Sequence, residues 1–316
     1  MDGVILITDC DHPSVDIERS ILESAGFKVR LGSCRTDDDV IDAGRGALAL
    51  LVQYAPITRR VLEGLPDCRV IARYGVGLDT IDLVAAAERG VQVFAVPDYC
   101  VDEVSDHALA LVLALTRGVV SLDRAVHAGR WDFLAAGRLH RTGTLLLGLV
   151  GAGRIGRAVA IKAKSVGFSV VANDPFVEAV PGLDMVEFDR LLESCNIVSL
   201  HLPLSEATRH CIDESVIARM RQGAYLVNTA RGGLVDTAVL AAALQDGRLA
   251  GAALDVLEAE PVGADDSLLS IPNLILTPHA AFYSEESIDE LKRKAATGIV
   301  TTLLNPTNGT LKRVQP

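Results

Sequence analysis

The stretch Gly151-Ala152-Gly153-Arg154-Ile155-Gly156 narrows most sharply what this chain can fold into. It follows an apolar run, Leu145 to Val150, and opens a helically spaced stretch, Ile155 to Val166. Strand, glycine turn and helix in that order are the signature of a dinucleotide-binding unit in a parallel sheet. Gly151 permits the tight turn, Gly153 lets the backbone approach a pyrophosphate, and Gly156 lets the helix lie close to the sheet. The helix N-terminus offers N–H groups and a partial positive charge to the phosphates. The next strand, Ser169 to Ala172, leads to Asp174. An acid there accepts bonds from ribose hydroxyls and repels the 2′-phosphate of NADP. Pro175 and Phe176 follow it, with no arginine, so NAD is the expected cofactor.

Strand-like and helix-like segments alternate on both sides of this motif, which predicts parallel sheets. Ahead of it, strands are expected at Val4 to Thr8, Lys28 to Leu31, Ala47 to Val52, Arg69 to Ala72 and Val91 to Val96. Helices are expected between them at Ile17 to Ala25, Asp37 to Ala43 and Ile81 to Glu88, and then from Val101 to Thr116, with more helix through Ala128. Beyond the motif, strands are expected at Ile197 to His201, Tyr225 to Asn228, Ala252 to Val256 and Leu274 to Leu276. Helices are expected among these at Asp189 to Ser194, Glu214 to Met220 and Thr237 to Leu244. The last helix, Glu285 to Leu304, has no strand after it and should fold back onto the first domain. The reading is α/β, with two doubly wound parallel-sheet domains. Residues 98–283 are the expected Rossmann NAD domain, and 1–97 with 284–316 a flavodoxin-like substrate domain.

Composition excludes several other classes. The formal net charge is −11, which repels phosphate backbones, so no direct nucleic-acid partner is expected. The apolar stretches are too short to span a membrane. Cysteines stand at 10, 34, 68, 100, 195 and 211, without a CxxC pair or metal-ligand spacing. No metal is expected, and reduced thiols in a cytoplasmic protein are.

Three short segments lie at the ends of late strands: Asn228-Thr229-Ala230-Arg231-Gly232-Gly233, Asp255 to Pro261, and Thr277-Pro278-His279-Ala280-Ala281. In a doubly wound sheet, ligands bind beyond the carboxyl ends of the strands. Reducing a 2-keto acid requires a hydride donor, a carboxylate clamp and a proton source. Arg231 can bind a carboxylate in bidentate fashion and polarise the ketone. His279 can give or take the proton near neutral pH. Glu260 can orient the imidazole and favour its charged form. The other histidines considered, His12, His107, His127, His140 and His210, are read as structural or solvent-facing.

These residues resemble the D-isomer-specific 2-hydroxyacid dehydrogenases. The resemblance rests on Gly151 to Gly156, Asn228 to Asp236 (NTARGGLVD), Gly251 to Pro261 (GAALDVLEAEP) and Thr277 to His279. It implies that Arg231, Glu260 and His279 are catalytic and that the partner is a small anionic 2-hydroxy or 2-keto acid. It implies pyrophosphate contacts at Arg154 and Ile155, a cofactor-flanking loop at Leu202, Pro203 and Thr208, and further cofactor contacts at Thr229, Ala230, Arg231, Asp255, His279 and Ala281. In the first domain, Arg73-Tyr74-Gly75-Val76-Gly77 resembles the family's substrate loop, with Arg73 and the Val76 and Gly77 N–H groups facing a carboxylate. Domain closure with hinges near Pro97 and Phe282, and a homodimer built through the second domain, are also implied. Asp106 stands where many members have Glu. The segment His279 to Glu285 looks most like the C-terminal-binding-protein branch, with Phe282 in place of Trp, near the substrate. Two other readings follow from that branch and its relatives, an NAD(H)-sensing interaction protein of the corepressor type and a phosphite-oxidising dehydrogenase.

Overall fold

A computed structural model describes residues 3–305; residues 306–316, assigned above to the first domain, lie outside them. The chain divides into two compact units, Met1–Tyr99 with Ser284–Pro316, and Cys100–Tyr283.

In the first unit, Val4–Ile7 (β1), Lys28–Leu31 (β2), Ala47–Val52 (β3), Val70–Arg73 (β4) and Gln92–Phe94 (β5) form a parallel sheet in the order β2-β1-β3-β4-β5. This is the flavodoxin-like order. Strand β3 is buried along nearly its whole length, as an inner strand covered on both faces must be, whereas the edge strand β2 is largely exposed. The final helix, Glu285–Leu304, packs on the helix Asp16–Ser24 and on β4. Its buried Lys292 donates from Nζ to the Ser14 carbonyl at 2.7 Å, which satisfies an ammonium that burial would otherwise penalise.

Three departures from the sequence reading have local causes. A helix at Arg59–Gly64 escaped notice because six residues beginning with two arginines show no periodic apolar face; Thr58 caps it by accepting from Val61 N–H, and Val61 and Leu62 are buried. The helix expected from Ile81 starts at Leu83, because Ile81 bridges to Ile57 and Asp82 caps by accepting from Ala85 N–H at 2.8 Å. The fifth strand is shorter than expected, and beyond it the Val96 N–H donates to Gly75 carbonyl at 2.9 Å.

In the second unit, Leu146–Val150 (β6), Ser169–Asn173 (β7), Asp184–Met185 (β8), Ile197–Leu200 (β9), Ala224–Asn228 (β10), Leu249–Leu254 (β11) and Leu274–Leu276 (β12) form a seven-stranded parallel sheet, ordered β12-β11-β10-β9-β6-β7-β8. The two-residue β8 leaves too little pattern to be read from sequence. The helix expected from Val101 to Thr116 has those bounds, and the further helix expected through Ala128 is a separate one, Val119–His127. Successive strand residues point to opposite faces. Val198, Leu200, Leu226 and Ala252 therefore enter one apolar layer, and Ile197, Val227 and Ala253 the other. Strand order reverses direction between β6 and β9, the switch point where such sheets open a crevice at their carboxyl edge.

Candidate active site

The glycine turn leaves β6 at that switch point. Gly151 has φ +102°, and a Cβ there would lie 2.3 Å from the His201 carbonyl oxygen. A Cβ on Gly156 would lie 2.2 Å from the Gly151 carbonyl, so the helix Arg154–Ser165 can approach only because both residues are glycine. At Gly153 the same construction meets nothing within 4 Å, and the backbone at the helix start faces open space. Asp174, just past β7, accepts the Ala152 N–H at 2.8 Å and the Phe176 N–H at 2.9 Å. It thus braces the turn while the carboxylate keeps further lone pairs for a hydroxyl. Phe176 beside it is 95% exposed, an apolar ring at the edge of the crevice.

Strands β9 and β10 add two more segments to the same edge. After β9 come Leu202 and Pro203, whose carbonyl accepts from Thr208 Oγ1 at 2.8 Å; Thr208 Oγ1 in turn accepts the Ser205 N–H at 2.7 Å. After β10, Thr229 is buried and its Oγ1 has no hydrogen-bond partner. An orphaned hydroxyl at the carboxyl edge, a braced glycine turn and an open helix start together fit a dinucleotide. Ala230 accepts from Arg231 Nη1 at 2.7 Å, and Asn228 Nδ2 donates to the Arg231 carbonyl at 2.8 Å, which sets the loop that presents the guanidinium.

Strands β11 and β12 supply the acid and the imidazole. Asp255, buried just past β11, organises the segment after β12. Its Oδ1 accepts from Thr277 Oγ1 (2.6 Å) and Ala280 N–H (2.9 Å), its Oδ2 from Ala281 N–H (2.9 Å), and its carbonyl from His279 N–H (2.7 Å). His279 is held with φ +54°, a left-handed conformation rare for a non-glycine residue. Its Nδ1 lies 2.7 Å from Glu260 Oε2, while Glu260 Oε1 accepts the Leu257 N–H at 2.8 Å. A carboxylate only accepts, so Nδ1 carries the proton and Nε2 is the nitrogen left outside that bond. Burial alone would raise the Glu260 pKa. Hydrogen bonds from His279 and the Leu257 N–H, and the charges of His279 and Arg231, outweigh it and hold the carboxyl below its ordinary value. The Phe282 ring meets His279 edge-on, with centroids 6.2 Å apart.

Arg231, Glu260 and His279 thus share one edge of one sheet, with Arg231 in the field of Glu260. Arg73, Val76 and Gly77 lie in the first unit, at the carboxyl end of β4. The Arg73 guanidinium folds over Gly75, where a Cβ would meet Nη1 at 1.8 Å and φ is +128°. Tyr74 between them donates to the buried Glu18 at 2.5 Å. Sequence reasoning did not foresee that His107 is bonded into the site: its Nε2 lies 3.0 Å from Thr277 Oγ1 and 3.6 Å from Asp255 Oδ1. It also set aside His210, which lies 2.6 Å from Glu258. Neither contact has a spacing signal, since each joins residues far apart in the chain. Among the described residues, no group of three His, Cys, Asp or Glu side chains is placed to hold a metal ion, and no helix is long and apolar enough to cross a membrane.

Residues 109–281 match the family described as D-isomer specific 2-hydroxyacid dehydrogenase, NAD binding domain. The chain is 40% identical to a glyoxylate reductase of Korarchaeum cryptofilum over 78% of this chain and 76% of that one. It is 39% identical to an (S)-sulfolactate dehydrogenase of Chromohalobacter salexigens over 92% of this chain and 95% of that one. Its fold superposes with a TM-score of 0.86 on D-lactate dehydrogenase from Aquifex aeolicus, solved with NAD and lactic acid, at 28% identity and covering 95% of each chain. The chain therefore belongs to the D-isomer-specific 2-hydroxyacid dehydrogenases, as an NAD-linked oxidoreductase that exchanges a hydride between a 2-hydroxy acid and its 2-keto acid.

Proposed function

We propose that this enzyme interconverts a small anionic D-2-hydroxy acid and its 2-keto acid, with Arg231, Glu260 and His279 as the catalytic group. The His279–Glu260 contact of 2.7 Å is the observation that carries this reading. Bound NAD(H) supplies or takes the hydride. Arg231 clamps the substrate carboxylate and polarises the carbonyl. In reduction, His279 as imidazolium donates the Nε2 proton to the oxygen as it becomes alkoxide; in oxidation, neutral Nε2 takes it back. Glu260 keeps the ring oriented and stabilises its charge. The second unit is assigned as the NAD domain and the first as the substrate domain. Arg73 and the Val76 and Gly77 backbone are assigned to the substrate carboxylate, and Phe282 to the substrate's side chain.

For the cofactor, we assign Gly151, Gly153, Arg154, Ile155 and Gly156 to the pyrophosphate and Asp174 to the adenosine ribose. Leu202, Pro203, Thr208, Thr229, Ala230, Asp255 and Ala281 are assigned to the remainder. Asp174 favours NAD over NADP by repelling a 2′-phosphate. Trp131 and Phe133, 91% and 80% exposed in the second unit, form apolar surface that a second copy would cover, which supports a homodimer. All six cysteines are free thiols, which suits the cytoplasm.

The test is NADH oxidation against glyoxylate, pyruvate, hydroxypyruvate and 3-sulfopyruvate, the last two carrying a polar or anionic group at C3. Turnover of one member identifies the substrate class. Tight NADH binding with no turnover of any keto acid would remove the proposal.

A further inference from the structure

Two non-glycine residues among those described have left-handed backbones, His279 (φ +54°) and His210 (φ +50°). Both reach a carboxylate of the same turn. His279 Nδ1 meets Glu260 Oε2 at 2.7 Å, and His210 Nε2 meets Glu258 Oε1 at 2.6 Å. The first pair carries the proposed proton transfer; the second stands beside it, Glu258 lying two residues before Glu260. Its other bonds indicate what it does. Glu258 Oε2 accepts from Thr237 Oγ1 at 2.9 Å and from Thr237 N–H at 3.3 Å, at the start of the helix Thr237–Gln245. The His210 N–H donates to the Gly233 carbonyl at 2.8 Å, and His210 Nδ1 lies 4.0 Å from Asp236 Oδ2. His210 therefore grips the Arg231 loop with its backbone and the Glu260 turn with its ring.

Between these grips the two segments touch. A Cβ on Gly232 would lie 1.9 Å from the Leu257 carbonyl carbon and 2.5 Å from Glu258 N. Backbone contact of that kind limits approach but does not stop the segments sliding or separating. A directional, charge-assisted bond does. Glycine would suit the His210 backbone better than histidine, so what histidine adds at this position is its ring.

We propose that His210 and Glu258 are positioning residues, a clamp that fixes the Arg231 loop against the turn bearing Glu260. Their role in catalysis rests on the assignment of Arg231, Glu260 and His279 above. The clamp itself is read from amide exchange.

The informative variant is His210→Gly, which accepts the left-handed backbone and deletes only the ring. Hydrogen exchange in segments 229–234 and 257–260 should speed up at least tenfold, with the melting temperature little changed. The kcat for keto-acid reduction should fall at least tenfold, through misplacement rather than lost proton chemistry. His210→Gln keeps an amide donor within reach of Glu258 and should restore most of both. Unchanged exchange in His210→Gly would overturn the clamp whatever the turnover. Faster exchange with wild-type kcat in an active enzyme would overturn its catalytic role. A wild-type enzyme inactive on every keto acid would instead sink the substrate assignment, and exchange would still decide the clamp.

Discussion

His279 Nδ1 sits 2.7 Å from Glu260 Oε2, and this one bond engages one of the two ring nitrogens and leaves the other outside it. With Nδ1 committed to the carboxylate, Nε2 is the nitrogen proposed above to exchange a proton with substrate. Replacing His279 with Ala removes that proton donor and should lower kcat by about 10²–10⁴-fold, the usual contribution of a general acid or base. NADH binding should persist, because the glycine turn is untouched. Stopped-flow reduction and fluorescence titration of NADH read the two effects separately. Normal turnover in His279→Ala would exclude the assignment.

Glu260→Gln should act differently. The side chain can still accept from one neighbour, but the imidazolium loses its anionic partner. The kcat for reduction should therefore fall while NADH binding is kept. The stability consequence has a definite sign. Because the folded Glu260 pKa is depressed, its contribution is present above the unfolded carboxyl pKa and is lost as pH falls through the folded value. Melting curves of wild type and variant should differ at neutral pH and converge in acid. A constant difference down to the most acidic pH at which both fold would contradict this.

Asp255→Asn tests how the imidazole segment is held. The carboxylate accepts on both oxygens, from Thr277, Ala280 and Ala281. An amide would turn an NH₂ group toward at least one of these donors, leaving a buried N–H or O–H unpaired. The cost is about 1–3 kcal/mol for such a buried group. Unfolding by urea should show that loss together with a lower kcat, since His279 depends on the same segment for its left-handed backbone. Wild-type stability in the variant would mean that the segment is held by other contacts.

The fold was largely legible in the sequence because its sheets are buried on both faces. Runs such as Ala47–Val52 and Leu146–Val150 have to be continuously apolar, and they alternate with capped helices. The meeting of Arg231, Glu260 and His279 at one edge was legible because each follows a strand of one sheet, so topology alone brings them there. What escaped reading depends on contacts without local signals. His107 reaches Thr277 from a distant helix, and His210 reaches Glu258 across the loop that follows β9. Asp174 was read only as a ribose ligand, although its bond to Ala152 N–H also braces the turn. The two-residue β8 exists only by pairing with β7.

His201 gives the fold a pH dependence distinct from that of the active site. It follows β9, where Ser199 Oγ lies 2.9 Å from its Nε2 and its carbonyl packs against Gly151. Burial pushes its pKa down to about 4. The unfolded chain, with an ordinary imidazole near 6.5, binds the proton first on acidification. Stability should therefore fall as pH drops from about 6.5 toward 4, and this contribution should level off below the folded value. His201→Gln removes the titrating ring and should flatten the melting curve across that window, whatever its effect at neutral pH. An unaltered slope in the variant would assign the acid sensitivity to other groups.

Gly153→Ala separates fold from cofactor binding within the glycine turn. A methyl at Gly151 or Gly156 would collide with backbone at 2.3 or 2.2 Å, so those substitutions should damage folding and binding together. At Gly153 the methyl meets nothing within 4 Å, and the melting temperature should stay close to wild type. The space it enters is the one assigned above to the pyrophosphate at the helix start. NADH affinity should drop at least tenfold, about 1.4 kcal/mol, by isothermal titration. Full NADH affinity in a well-folded Gly153→Ala would mean that the phosphates approach the turn from another side.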